Sequence, residues 1–179
     1  MLLKRLVGLS TVLLLSLVCF SAGADDDEGY RKADVRPVDN AEYKNECGAC
    51  HFAYQPGLLP SRSWKKLLAD LEDHFGEDAS LDREVTNRLT DYMVGNAAER
   101  SDYRRSRSIA NSLGENEAPM RITELRYFRA DHREIPVRMF KGNERVRSLS
   151  NCNACHRTAA EGNYSEHNIE IPGYGFWDD

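Results

Sequence analysis

Trp64, Leu67, Leu68, Leu71 and Phe75 recur at three- and four-residue intervals, while Lys65, Lys66, Asp70, Glu72 and Asp73 fall on other sides. That spacing predicts an amphipathic helix running to about Phe75, with Ser61 or Ser63 as its cap and Gly76 as its stop. A second helix is predicted from about Asp82 to Val94. There Val85, Leu89, Tyr92 and Met93 share one side, Ser80 is a possible cap, and Gly95 ends the pattern. Residues 95–117 are mostly polar and charged, and the run from Ser101 to Ser108 has no apolar stripe, so this stretch reads as a connector. Farther on, Ile135, Val137 and Met139 alternate with polar or proline positions, the pattern of a short strand. Ile169 and Ile171 make a weaker case of the same kind, and Pro172-Gly173-Tyr174-Gly175 reads as a turn.

The N-terminus follows a different pattern. Lys4 and Arg5 precede an apolar run from Leu6 to Phe20, and Ala22-Gly23-Ala24 stands before the acidic Asp25-Asp26-Asp27-Glu28. This is the layout of a secretory signal covering residues 1–24 and cleaved after Ala24. The run is short for a span of roughly 20 residues, which disfavours a retained anchor. Val18 stands where a lipid-anchored Cys19 would need a small neighbour. Cleavage removes two positive charges and deepens the formal net charge from −5 to −7. An acidic chain lacks the clustered positive charge of a nucleic-acid surface and suits a partner with a basic face.

Of the five cysteines, Cys19 lies in the signal and the other four fall into two Cys-x-x-Cys-His motifs. These are Cys47-Gly48-Ala49-Cys50-His51 and Cys152-Asn153-Ala154-Cys155-His156, and no thiol is left over for a structural disulfide. The spacing is the signature of covalent c-type haem attachment. Each pair of thiols can form thioethers to the haem, and the histidine that follows binds the iron from the proximal side. A thioredoxin-like pair would sit in a βαβ pattern, which the chain lacks, and a zinc site does not require a histidine directly after the second cysteine. Two covalently bound haem c groups are therefore expected. The sequence divides into a first haem lobe over residues 25–100, and a connector with a second lobe over residues 101–179. The fold class expected is mainly α, with two small cytochrome c-like lobes, the second irregular and poor in strand. Arg104, Arg105 and Arg107 suggest a basic patch for haem propionates or a partner, with a solvated linker as the favoured alternative.

Five histidines are present, and His51 and His156 are committed as proximal ligands. His74, His132 and His167 remain for the distal positions, beside Met93, Met120 and Met139. The choice matters because methionine raises the potential of a histidine-ligated haem. His74 is placed at the edge of the helical stripe beside Leu67 and Leu71, facing a haem packed there. The alternatives are a histidine capping the helix C-terminus, where a cation is favoured, and ligation by Met93, whose place on the stripe suits core packing. His132 follows the aromatic pair Tyr127-Phe128 and leads for the second haem, with His167 and Met120 as rivals. Each proximal ring is expected to donate its other nitrogen to a carbonyl or water, with residues 56–60 as the source in the first lobe.

Several segments together resemble the bacterial dihaem cytochrome c family. They are Val35-Arg36-Pro37-Val38, the run from Glu46 through Pro60, His74-Phe75-Gly76, Ile122-Thr123-Glu124 and Tyr127-Phe128, then His132-Arg133-Glu134-Ile135, Asn151 to His156 and Ile171 to Gly175. The resemblance implies a soluble periplasmic electron carrier with two six-coordinate, bis-histidine haems at low potential. It would give His74 to the first haem and His132 to the second, with His167 as an unmatched extra histidine. It also implies redox partners, among them a membrane b-type cytochrome and a small oxygen-binding monohaem cytochrome c. Electron transfer is the leading function. A dihaem peroxidase, a gas-binding module with a labile ligand and a small subunit of a periplasmic reductase are the rivals.

Overall fold

The computed structural model describes residues 32–177, so the expected export signal over residues 1–24 lies outside the described residues. Among the described residues the chain is mainly α: five helices, seven single 3-10 turns and one two-stranded hairpin. Helix α1 (Ala41–Cys47) was not evident from periodicity. Asn40 caps it by accepting a 2.8 Å hydrogen bond from the Tyr43 amide, and the buried Tyr43 hydroxyl donates to the Tyr54 carbonyl at 2.6 Å. A seven-residue helix is marginal in isolation, so these contacts hold it in place.

Helix α2 (Ser61–Leu68) buries Trp64, Leu67 and Leu68 as expected but stops well short of Phe75. Extension would place Asp70, Glu72 and Asp73 at the helix C-terminus, where the macrodipole opposes negative charge. The chain instead closes a tight loop. Ala79 N–H donates to the Leu71 carbonyl at 2.8 Å, and His74 N–H donates to the Glu77 carbonyl at 2.8 Å. Gly76 takes φ +97°, a value that favours glycine, and its amide donates to Asp73 Oδ1 at 2.9 Å. Neither serine caps α2. The position before it is Pro60, Ser63 is buried, and Glu99 receives the Ser61 amide at 3.0 Å.

Helix α3 (Arg83–Gly95) packs on α2 with Leu89 and Met93 buried. Its cap is Asp82, which accepts from the Glu84 amide, whereas the Ser80 amide is bound to Asp78. The expected connector contains a further helix, α4 (Arg104–Ser112). Its inward face is built from Ser106 and Ile109, too little apolar surface to register as a stripe. The face is small because α4 lies against Gly57, where a Cβ would collide with the Ser106 side chain. The solvated-linker reading also fails at Arg105, whose side chain is only 15% exposed.

Helix α5 (Arg126–Asp131) follows the turn Ile122–Glu124. Residues 137–139 form a 3-10 turn rather than a strand, with the Met139 amide bound to Pro136 O and Val137 61% exposed. Among the described residues the alternation there has no partner strand to pair with. The hairpin is β1 (Glu170–Ile171) against β2 (Gly175–Phe176), joined by the expected turn, with Ile171 opposite Gly175.

One cluster of buried apolar side chains runs from Val35 to Tyr164. Polar ties join distant segments across it. Gln55, fully buried, donates to the Ala159 carbonyl and accepts from the Tyr164 hydroxyl, both at 2.6 Å. Tyr54 donates to the Ser150 carbonyl at 2.6 Å, and Gly162 O receives the Asp34 and Val35 amides at 2.9 and 3.0 Å. Removing a phenol hydroxyl from a buried pair strands its partner, at a cost of about 1–3 kcal/mol. Tyr164→Phe, which strands buried Gln55, should therefore lower the denaturant midpoint of the haem-loaded protein more than Tyr54→Phe, whose acceptor is exposed; equal losses would contradict this packing. Leu89→Ala, at a fully buried site, should cost about 2–5 kcal/mol in the same experiment, and a loss under about 1 kcal/mol would remove Leu89 from the core.

Candidate haem sites

The first motif begins where α1 ends. Cys47 is the last helical residue, Cys50 and His51 are exposed, and His51 Nδ1 lies 2.8 Å from the Phe52 carbonyl. A carbonyl only accepts, so Nδ1 carries the proton and Nε2 presents its lone pair. The carbonyl comes from Phe52 and not from residues 56–60 as expected, since Pro56 O already receives the Trp64 indole N–H at 2.8 Å. The Tyr54 ring packs on His51 at 5.1 Å.

His74 faces this motif from the loop after α2, and not from the helical stripe where periodicity placed it. The His51 and His74 rings are nearly parallel, 16° apart, with centroids separated by 6.2 Å. Phe75, at φ +61°, turns the chain there, a conformation that costs a non-glycine residue on the order of 1–3 kcal/mol. The Phe75 ring meets His74 at 4.8 Å, and the Arg121 guanidinium lies over the Phe75 ring, 3.7 Å from its centre, a cation–π contact. Burial is the first cause of a lowered His74 pKa, with the His51 and Arg121 charges adding to it.

The second motif forms the 3-10 turn Cys152–Ala154 and then Cys155 and His156. The Glu170 amide donates to Cys155 O at 2.9 Å, so the hairpin strand fixes the end of the motif. His132 directly follows α5, and its Nδ1 donates to Phe128 O at 2.8 Å while the ring stacks on Phe128 at 3.8 Å. The His132 and His156 rings stand 6.0 Å apart and crossed at 67°. His167 lies on the turn Glu166–Asn168, with Nε2 3.8 Å from Glu166 and a side chain 47% exposed. Met93 is buried on α3, Met139 is buried beside the second site, and Met120 packs against the main core.

A cavity of about 1030 Å³ opens at the second site, lined by Cys152, Cys155, His156, His132 and Phe128. Burial, then the charges of His132 and Arg105, hold His156 down at about 3, so the ring stays in the neutral form that binds metal. Burial pushes Cys47 up to about 11 and Cys152 up to about 12, opposite to the lowered pKa of a redox-active dithiol. Arg105, which the sequence offered only within a basic patch beside the favoured linker reading, and Asp34, which it did not single out, also belong here: both line the cavity, and the guanidinium binds Asp34 at 2.8 Å.

The residues fit a haem at each motif. A nitrogen-bound first-row metal lies about 2 Å from imidazole, so two rings on opposite sides of one ion have centroids about 6 Å apart. Both pairs meet that spacing. His156 Nδ1 is buried with no hydrogen-bond partner among the described residues, so no carbonyl there takes up the second proximal ring as the Phe52 carbonyl takes up the first.

Comparison with known proteins gives the family. The family model for dihaem cytochrome c matches residues 43–164. A diheme cytochrome type c from Shewanella baltica OS155 is 42% identical, with a TM-score of 0.64 over 78% of this chain and 98% of that one. A diheme cytochrome c from Rhodobacter sphaeroides is 43% identical, with a TM-score of 0.65 over 73% of this chain and all of that one. A second structure from that organism, DHC, is 41% identical with a TM-score of 0.57 over 72% of this chain and 99% of that one. A search of curated proteins returned no match. With two haem c groups and a mainly helical fold built around them, the chain is a haem-based electron-transfer protein and belongs to the dihaem cytochrome c family.

Proposed function

We propose that the protein is an exported carrier of single electrons whose two haems each have two histidine ligands. Cys47 and Cys50 would hold the first haem and Cys152 and Cys155 the second. His51 and His156 would be the proximal ligands, His74 and His132 the distal ones. The observation that carries this reading is the spacing of the two imidazole pairs, 6.2 Å and 6.0 Å. When bound, each haem supplies a one-electron iron couple, which histidine pairs keep lower in potential than a histidine–methionine pair would.

The chain's own residues do the rest. Two fixed imidazoles per iron leave no position for a substrate, which favours a carrier over an enzyme. The Phe52 and Phe128 carbonyls hold the tautomers of His51 and His132 and make the coordinating nitrogens better donors. The first motif lies at the surface, with Cys50 and His51 exposed, and gives partners an edge to approach. The second is more enclosed. Redox proteins are the expected partners, including a membrane b-type cytochrome and a small oxygen-binding monohaem cytochrome c. The signal-like residues 1–24 and the covalent attachment motifs support a periplasmic location, and among the described residues no helix is long and apolar enough to cross a membrane.

Optical spectra of the reduced protein with and without carbon monoxide test the ligand set. The wild type should show two low-spin haems unmoved by the gas, while His74→Ala and His132→Ala should each bind it at one haem. A shift in the wild type would favour a gas-binding or peroxidase-like protein, and two variants with wild-type spectra would remove His74 and His132 as ligands.

A further inference from the structure

Arg105 lies on α4, between two exposed arginines, Arg104 and Arg107. Its side chain turns inward and is 15% exposed. Nε donates to Asp34 Oδ2 at 2.8 Å, one terminal nitrogen to the Tyr127 hydroxyl and Asp131 at 3.2 Å, and the other to the Tyr164 carbonyl at 3.2 Å. The guanidinium also lies 5.8 Å from the centre of the Tyr164 ring, which packs on His156 at 5.2 Å. Asp34 is 10% exposed, accepts the Tyr164 amide at 3.3 Å and holds the Arg105 amide through its own carbonyl at 2.9 Å. A buried cation and a buried anion are therefore fixed on the wall of the second cavity.

The first site has a different electrical setting. The basic group in ring contact there is Arg121, whose side chain is 51% exposed. Solvent and salt screen such a charge, whereas a buried charge keeps its influence at longer range. Arg104 and Asp131, the outer members of the second-site cluster, are exposed at 72% and 44% and are screened in the same way.

We propose that Arg105 and Asp34 are positioning charges that set the reduction potential of the second haem independently of the first, Arg105 raising it and Asp34 lowering it. This rests on the assignment of His132 and His156 to that haem. Reduction adds one electron to the iron, taken from a redox partner, with no bond made or broken. A fixed positive charge stabilises the added electron and a fixed negative charge opposes it. The same two groups would also brace the fold, so stability alone cannot separate the roles.

A mediated optical redox titration of the full haem-loaded chain separates them, with His132→Met marking which component is the second haem. Arg105→Gln should make the second haem harder to reduce by on the order of tenfold, or about 59 mV for one electron. Asp34→Asn should move the same haem in the opposite direction, Arg105→Lys should return it toward the wild-type value, and the first haem should hold still throughout. Shifts of the same sign in Arg105→Gln and Asp34→Asn, equal shifts of both haems, or no shift would overturn the proposal and leave the pair a structural brace. Two low-spin haems with unmoved potentials would overturn this proposal alone, whereas a wild-type second haem that is not low-spin would overturn the ligand reading and this proposal with it.

Discussion

A gap of about 6 Å between facing imidazoles is the constraint on which the remaining structure depends, because that distance is the width of one hexacoordinate metal along its axis. The chain meets it twice with different devices. His51 and His74 approach from the end of one helix and from a strained loop, and their planes are nearly parallel. His132 and His156 approach from the end of α5 and from a 3-10 motif, and their planes cross. In both pairs one ring has its tautomer set by a backbone carbonyl, and the other ring buries a nitrogen that nothing among the described residues satisfies.

Holding four rings in place with the five helices of the described residues requires ties that secondary structure does not supply. Two tyrosines provide them reciprocally. Tyr54 packs on His51 and donates its hydroxyl to Ser150, near the second motif. Tyr164 packs on His156 and donates its hydroxyl to Gln55, near the first. Each proximal histidine thus leans on a residue hydrogen-bonded to the opposite half of the chain. The Asp34–Arg105 pair adds a third tie, and a buried ion pair of this kind is better evidence of a fixed arrangement than of added stability.

The two attachment motifs were legible in the sequence, because haem attachment dictates residue type and spacing, whereas a distal ligand has no fixed spacing and His132, His167 and Met120 stayed open for the second haem. The two helices around Leu68 and Leu89 were legible from periodicity. The loop carrying His74 was not: the apolar stripe continues in sequence past Leu68, while the negative charge of Asp70, Glu72 and Asp73 opposes helix there and the left-handed turn at Phe75–Gly76 shapes the loop beyond it. Helix α4 was missed because close approach to Gly57 leaves room only for a small inward face, and small faces carry no hydropathy signal. Arg105 read as solvated for a related reason, since its partner Asp34 lies some seventy residues away and only the folded chain brings them together. Where two groups meet through tertiary packing alone, a single sequence has no pattern that records the meeting.

Electron paramagnetic resonance of the fully oxidised protein tests the proposed ligation most directly, because low-spin ferric haem signals depend on the angle between the two axial imidazole planes. Two low-spin signals of equal intensity are expected: one ordinary rhombic signal from the near-parallel pair, and one strongly anisotropic signal from the crossed pair. A high-spin signal at either haem would contradict bis-histidine ligation, and two identical rhombic signals would contradict the crossed geometry of His132 and His156.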